Sequence, residues 1–262
     1  MRSPRTRVAD IPKEILAIVG AIHSREPLAT SRRDVTHLVG ENGDFVLKRS
    51  DLSNLPTLHH ESQTLELLTQ SEFPLSEHCL LPAKAFGNAV FQLSTYIPGS
   101  SLRNALGSGN DYDDRIVAAS AALLRKIHSL PVPPEPCHEL LSTLLSKAEA
   151  NMQKGLLDPE EFTDLPPIEM LDWLMHCQPS DFEVVFSHGD FRPKNIIWNE
   201  QAISGIVDWE HSLYCGRYYD ISIFHYYLPP EQRQTFVRAY GMGSLDEEEM
   251  RYFERLSKFL NV

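Results

Sequence analysis

The chain has 262 residues, 42% hydrophobic and 23% charged, which is the make-up of an ordinary globule large enough for one domain or two lobes. No apolar run reaches the ~18 residues that a membrane-crossing helix needs, so no membrane partner is expected. A formal net charge of −12 disfavours nucleic acid as a partner and suits a cationic substrate.

The N-terminus carries Arg2, Arg5 and Arg7, and residues 11–22 read as an amphipathic helix, since Lys13 and Glu14 interrupt what would otherwise resemble a secretory signal. Short strands are predicted at 28–30, 35–39 and 45–48, with a hairpin at Gly40-Glu41-Asn42-Gly43 between the last two. Residues 56–70 place Leu58, Leu65 and Leu68 on one helical face. A second hairpin is predicted from 80–86 and 89–96 around Gly87-Asn88.

Past Pro98-Gly99 the pattern turns helical. Asp113 or Asp114 can cap a helix whose stripe is Ile116, Ala119, Leu123, Leu124 and Ile127. Leu140, Leu141, Leu144, Leu145 and Ala148 form a second stripe, and Ile168, Leu171, Leu174 and Met175 a third. Short strands follow at 184–186, 196–198 and 203–207, and 245–260 is helical with Met250, Phe253, Leu256 and Leu260 in register. Cys79, Cys137, Cys177 and Cys215 lie far apart with no Cys-x-x-Cys pair, so reduced thiols and a cytoplasmic location are expected.

The chemistry concentrates in Ser187-His188-Gly189-Asp190-Phe191-Arg192-Pro193-Lys194-Asn195 and in Asp208-Trp209-Glu210. An Asp, an Asn five residues later and a second Asp on the next apolar run suit phosphoryl transfer from a magnesium nucleotide. One carboxylate orients the attacking hydroxyl, while an amide oxygen and another carboxylate supply the hard ligands that Mg²⁺ prefers. Asp190 is thus the candidate base, and Asn195 and Asp208 are the candidate metal ligands. Arg192 is either a stabiliser of transition-state charge or a solvated loop cation. Glu61 falls on the apolar face of the 56–70 helix and needs a buried cation; Lys48, on the strand 45–48, is the obvious one.

This spacing matches the protein-kinase catalytic loop His-Arg-Asp-x-x-x-x-Asn, with Gly189 where the Arg would stand. With Asp208-Trp209-Glu210 in place of Asp-Phe-Gly, the chain resembles the aminoglycoside phosphotransferase and choline kinase superfamily, and most closely the aminoglycoside phosphotransferase family. The resemblance implies an α+β, two-lobed protein-kinase-like fold with the nucleotide between the lobes. A small antiparallel-sheet lobe with one helix would span 1–97, and a larger, mainly helical lobe would span 98–262.

The resemblance also implies ATP or GTP as donor, Mg²⁺, and a small-molecule hydroxyl as acceptor, an aminoglycoside or related antibiotic first among them. Lys48 would hold the α- and β-phosphates with Glu61 as its partner, and the segment with Ser94 and Tyr96 would offer backbone groups to the purine edge. His188 would pack beneath the loop, and Asp220 of the Gly216-x-x-x-Asp220 element would brace it. One departure concerns the phosphate loop: Thr30-Ser31-Arg32-Arg33-Asp34 has no glycine, leaving Ser31 or nearby amides to reach phosphate. Gly40 to Gly43 could replace it only with too few strands before Lys48.

Two other readings stand beside this one. A metabolite kinase for choline, ethanolamine or homoserine keeps the chemistry, with Glu210, Glu231 or residues 246–249 available for an amine. A non-catalytic nucleotide-binding module would explain the missing glycines but not the joint presence of Lys48, Glu61, Asp190, Asn195 and Asp208. The eleven residues between Asp208 and Asp220 are too few for the activation segment of a protein kinase. The oligomeric state is left open by the sequence.

Overall fold

The structure, a computed structural model, describes residues 10–28, 34–105, 113–132 and 137–260. It divides into two units, residues 1–99 with 204–210 and residues 100–203 with 211–262.

In the first unit, helix α1 (Lys13–Val19) precedes strands β1 (Ile22–Pro27), β2 (Asp34–Gly40) and β3 (Gly43–Asp51). Helix α2 (Leu55–Gln70) and the hairpin β4 (Cys79–Phe86) and β5 (Ala89–Thr95) follow. The strands pair antiparallel in the order β1-β2-β3-β5-β4. Alternation along β3 assigns its two faces. Phe45 and Leu47 pack with Ile15 and Val19 of α1 and with Phe91 and Leu93 of β5. Lys48, one residue out of phase with that face, is also buried. Pro56 suits the first turn of α2, where a missing N–H costs nothing, and Leu58, Glu61, Ser62, Thr64, Leu65 and Leu68 are its buried residues. Ser62 ties the helix to the sheet: its Oγ accepts Ala83 N–H at 2.9 Å and Gln92 Nε2 at 3.0 Å.

The N-terminal expectations need correction. The helix ends at Val19, and Ile22 already belongs to β1. A strand that the sequence pattern did not signal spans Ile22–Pro27; of the strand expected at 28–30, Leu28 follows β1 and residues 29–30 lie outside the described residues. Strand β1 has an exposed polar face with almost no apolar alternation, so the hydrophobic pattern carries no trace of it. Gly40 to Gly43 closes the β2–β3 hairpin. It is anchored against α1 by Asn42, whose Nδ2 donates to Ile18 O at 2.8 Å and whose N–H donates to Val19 O at 3.2 Å. Those contacts remove it as a substitute phosphate loop.

The second unit opens with β6 (Ser100–Ser101) and α3 (Leu102–Ala105), then α4 (Asp114–His128), α5 (Cys137–Gln153) and α6 (Pro167–His176). Strands β7 (Val184–Ser187) and β8 (Ile196–Trp198) bracket the catalytic segment. Strand β9 (Ile203–Ile206) carries the chain into the first unit, and β10 (Leu213–Gly216), α7 (Tyr218–Tyr226), α8 (Pro230–Tyr240) and α9 (Glu247–Leu260) complete the second. Asp113 caps α4 by accepting Arg115 N–H at 2.7 Å, and Gly241 ends α8 in the left-handed region at φ +100°.

The stripes of α4, α5 and α9 are largely buried, whereas that of α6 is offset. Met170, Leu171 and Leu174 are buried, but Ile168 is 63% exposed and Met175 41% exposed. On so short a helix a 3.6-residue period fits either of two adjacent stripes, and packing against α5 and α9 selects one.

Candidate active site

In the first unit Lys48 and Glu61 meet. Lys48 Nζ donates to Glu61 Oε1 at 2.6 Å and lies 3.4 Å from Asp208 Oδ1. Glu61 is fully buried. Burial acts to lower the Lys48 pKa, but the charges of Glu61 and Asp208 override it and hold the ammonium well above its ordinary range. Glu61 Oε1 also accepts Trp209 N–H at 3.2 Å, so one carboxylate fixes both the lysine and the backbone beside Asp208.

Trp209 has no exposed surface; its ring meets Phe73 edge to face at 6.1 Å, and its Nε1 donates to Ile206 O. Held between these contacts, Asp208 adopts φ +71°, a left-handed conformation that Asp tolerates better than most residues. Its carboxylate remains one-third exposed.

Glu77, which no sequence motif singles out, joins this cluster. It is 2% exposed, and its Oε2 has no hydrogen-bond partner. Burial, reinforced by the charges of Glu61 and Asp208 and opposed by Lys48, pushes its pKa up to about 8.

In the second unit, the catalytic segment is pinned at both ends. Strand β7 pairs with β10, with Ser187 opposite Leu213, and β8 pairs with β6. Asp220 is fully buried; its Oδ2 accepts His188 N–H at 2.7 Å and its Oδ1 accepts Gly189 N–H at 2.9 Å. Gly189 has φ +83°, and a Cβ there would overlap the carbonyl oxygen of His211. That overlap is why glycine stands where protein kinases carry arginine. His188 is buried and its Nδ1 accepts Asp190 N–H at 3.2 Å. Phe191 is fully buried against Phe224.

Asp190 is thereby presented with its carboxylate already engaged. Asn195 Nδ2 donates to Asp190 Oδ2 at 3.0 Å and to Asp190 O at 2.9 Å. Lys194 Nζ lies 2.8 Å from Oδ2. Arg192 Nε lies 2.5 Å from Oδ1, a contact of opposite charges without the alignment of a hydrogen bond. Burial acts to raise the Asp190 pKa, but Arg192 and Lys194 outweigh it and hold the carboxyl below its ordinary value. Arg192 is therefore a half-buried partner of Asp190 and not a solvated loop cation. Lys194 was missed by motif reasoning, although its place four residues after Asp190 is visible in the segment.

In the second unit the Asn195 amide nitrogen is engaged by Asp190, which leaves its oxygen as the end for a ligand. In the first unit Asp208 offers an ionisable oxygen that is one-third exposed. Each is the hard oxygen type that Mg²⁺ selects.

The remaining expected residues divide. Ser94 is buried in β5, opposite Val46 on one side and Cys79 on the other. Tyr96 stacks on His37 at 3.9 Å, and its N–H donates to Asp44 O at 3.1 Å, so that donor is not open to a base. Ser31 lies outside the described residues. Glu231 is exposed on the first turn of α8. Asp246 starts α9 by accepting the N–H groups of Glu248 and Glu249 at 3.0 Å, the capping role that an acidic helix start ordinarily serves.

Comparison with known proteins agrees with this architecture. An aminoglycoside 3'-phosphotransferase from Niallia circulans is 30% identical over 174 residues, 60% of this chain and 66% of that protein, so the match spans just under two thirds of the relative. The crystal structure of an aminoglycoside-3'-phosphotransferase of type VIII superposes with TM-score 0.71 at 18% identity, covering 91% of this chain and 93% of the other. A choline kinase from Streptococcus pneumoniae gives 0.66 at 13% identity, covering 95% and 86%. These structural likenesses support the kinase-like fold expected from the sequence. The family described as "Phosphotransferase enzyme family" matches residues 26–253, nearly the whole chain, and the protein belongs to it.

Proposed function

We propose that this chain transfers the γ-phosphoryl group of ATP or GTP to a hydroxyl of a small molecule, with an amino sugar of the aminoglycoside type as the first acceptor. The observation that carries this reading is the fixed Asp190 carboxylate, oriented by Asn195 and flanked by Arg192 and Lys194. The acceptor oxygen attacks the γ-phosphorus, the bond to the bridging oxygen of the nucleotide breaks, and the acceptor proton passes to Asp190. A carboxylate held at low pKa is a weak base, which suits a loose transition state in which orientation matters more than proton abstraction. Arg192 and Lys194 are placed to meet charge on the transferred group.

Lys48, kept in place by Glu61, holds the α- and β-phosphates. Asn195 and Asp208 are the residues that would hold Mg²⁺, which when bound would neutralise phosphate charge. The net charge of −12 favours a cationic acceptor, and the names of the relatives suggest which cation to try. The unpaired Cys79, Cys177 and Cys215 suit a reducing cytoplasm.

The test is mass spectrometry of reactions holding Mg²⁺, ATP or GTP and a panel of aminoglycosides, choline, ethanolamine and homoserine. A gain of one phosphoryl group on an acceptor is expected, and it is lost in Asp190→Asn. Nucleotide binding with no phosphorylated product across the panel would favour a non-catalytic module.

A further inference from the structure

Asp220 takes a third hydrogen bond that the catalytic motif does not announce. His128, the last residue of α4, places Nε2 3.3 Å from Asp220 Oδ2, and its Nδ1 lies 2.7 Å from the hydroxyl of Tyr240, the last residue of α8. His128 and Tyr240 are each 8% exposed, and Asp220 is fully buried. We propose that Tyr240 is a positioning residue for the catalytic loop, acting through His128 and Asp220 on the backbone N–H groups of His188 and Gly189. This role rests on the phosphotransferase reading only for its effect on turnover.

The hydrogen inventory sets the direction of the chain. A carboxylate only accepts, so the nitrogen facing Asp220 carries the hydrogen. In the neutral ring Nδ1 is then the acceptor, and Tyr240 O–H donates to it. Burial pushes the Tyr240 pKa above its ordinary value, so the phenol keeps the proton that it donates. Each group thus has one role: Tyr240 O–H to Nδ1, Nε2–H to Asp220 Oδ2, and Asp220 to two successive loop amides.

Tyr240 is itself held, stacked on Phe236 at 6.5 Å and set edge to face on His128 at 5.7 Å. Phe236 stacks on Phe224, which packs on Phe191 within the catalytic segment. Without the hydroxyl, Nδ1 is left buried with no donor and the ring loses what fixes its rotation. Asp220 then shares its charge between two amides alone.

The test is Tyr240→Phe, which keeps the ring stack and removes only the hydroxyl. Nitrogen NMR of the wild type should show hydrogen on His128 Nε2 and an accepting Nδ1. In the variant, amide exchange at His188 and Gly189 should rise about tenfold while Val185 and Cys215 in the neighbouring strands keep their protection. Turnover should fall by about tenfold with KM for nucleotide and acceptor within about twofold, the signature of misplaced reacting groups. His128→Gln, whose amide can still donate to Asp220, should retain more activity than His128→Leu.

Hydrogen on Nδ1 in the wild type, unchanged exchange at both loop amides, or a uniform rise across β7 and β10 would each overturn the proposal. The exchange and tautomer readings need no turnover. A wild type that transfers nothing but shows the expected exchange pattern would therefore count against the phosphotransferase reading and leave the relay standing.

Discussion

Lys48 and Glu61 form a buried ion pair, Nζ to Oε1 at 2.6 Å, with the carboxylate also accepting the backbone N–H of Trp209. The pair joins β3, α2 and the segment that carries Asp208, so its two members are not equivalent under mutation. Lys48→Met leaves Glu61 buried and without its cation, which costs about 3–5 kcal/mol. Glu61→Gln keeps a carbonyl oxygen for Lys48 and Trp209 and should cost about half as much or less. Urea denaturation of both variants checks the order. Equal losses would mean that Glu61 does not organise the cluster.

Gly189→Ala tests the catalytic turn. The added Cβ meets the His211 carbonyl in a left-handed backbone conformation, and either effect alone displaces the loop. The conformational strain contributes about 1–3 kcal/mol, to which the overlap adds. Turnover should fall by at least about a hundredfold, because the Asp190 carboxylate moves with the backbone. Calorimetry and kinetics on the same sample separate lost stability from lost placement.

Arg192 and Lys194 hold the Asp190 carboxyl below its ordinary pKa, and on the proposed reading they should set the acid limit of activity. Asp190 has a depressed pKa, so it stays ionised in acid well below neutrality, and each cation removed lets burial raise that pKa. In Lys194→Met the acid limb of kcat should move to higher pH, and in the double variant with Arg192→Met further still. An acid limb that stays in place would show that Asp190 is not the group titrating there.

Glu77 makes stability fall as pH rises. Its folded pKa lies near 8 against an ordinary 4.5, so between those values the folded protein holds a proton that the unfolded chain has released. Its contribution is therefore full below about pH 4.5, declines through neutrality and is lost above about pH 8. In metal-free protein, Glu77→Gln should flatten the melting temperature across that window. A wild-type slope in the variant would assign the decline to another group.

Much of the architecture was readable from local pattern. Alternation with turn formers located β2 through β5, helical spacing placed Glu61 on the buried face of α2, and the spacing of Asp190, Asn195 and Asp208 marked the candidate site. Strand β1 carries no sequence signal because an exposed polar edge strand has no apolar period to detect. The exposed Ile168 and Met175 on α6 show the converse, an apolar spacing that the packing did not use.

The sequence by itself determined the family, many of the strands and helices, and the ionisable residues of the motif, because those depend on spacing along one segment. Only the tertiary structure decided which groups surround them. Glu77 beside Lys48 and the Tyr240–His128–Asp220 chain involve single polar residues, the latter joining positions 112 and 92 residues apart. Such contacts leave no periodicity in the sequence; they exist because burial forces each polar group to find a partner wherever the fold brings one near.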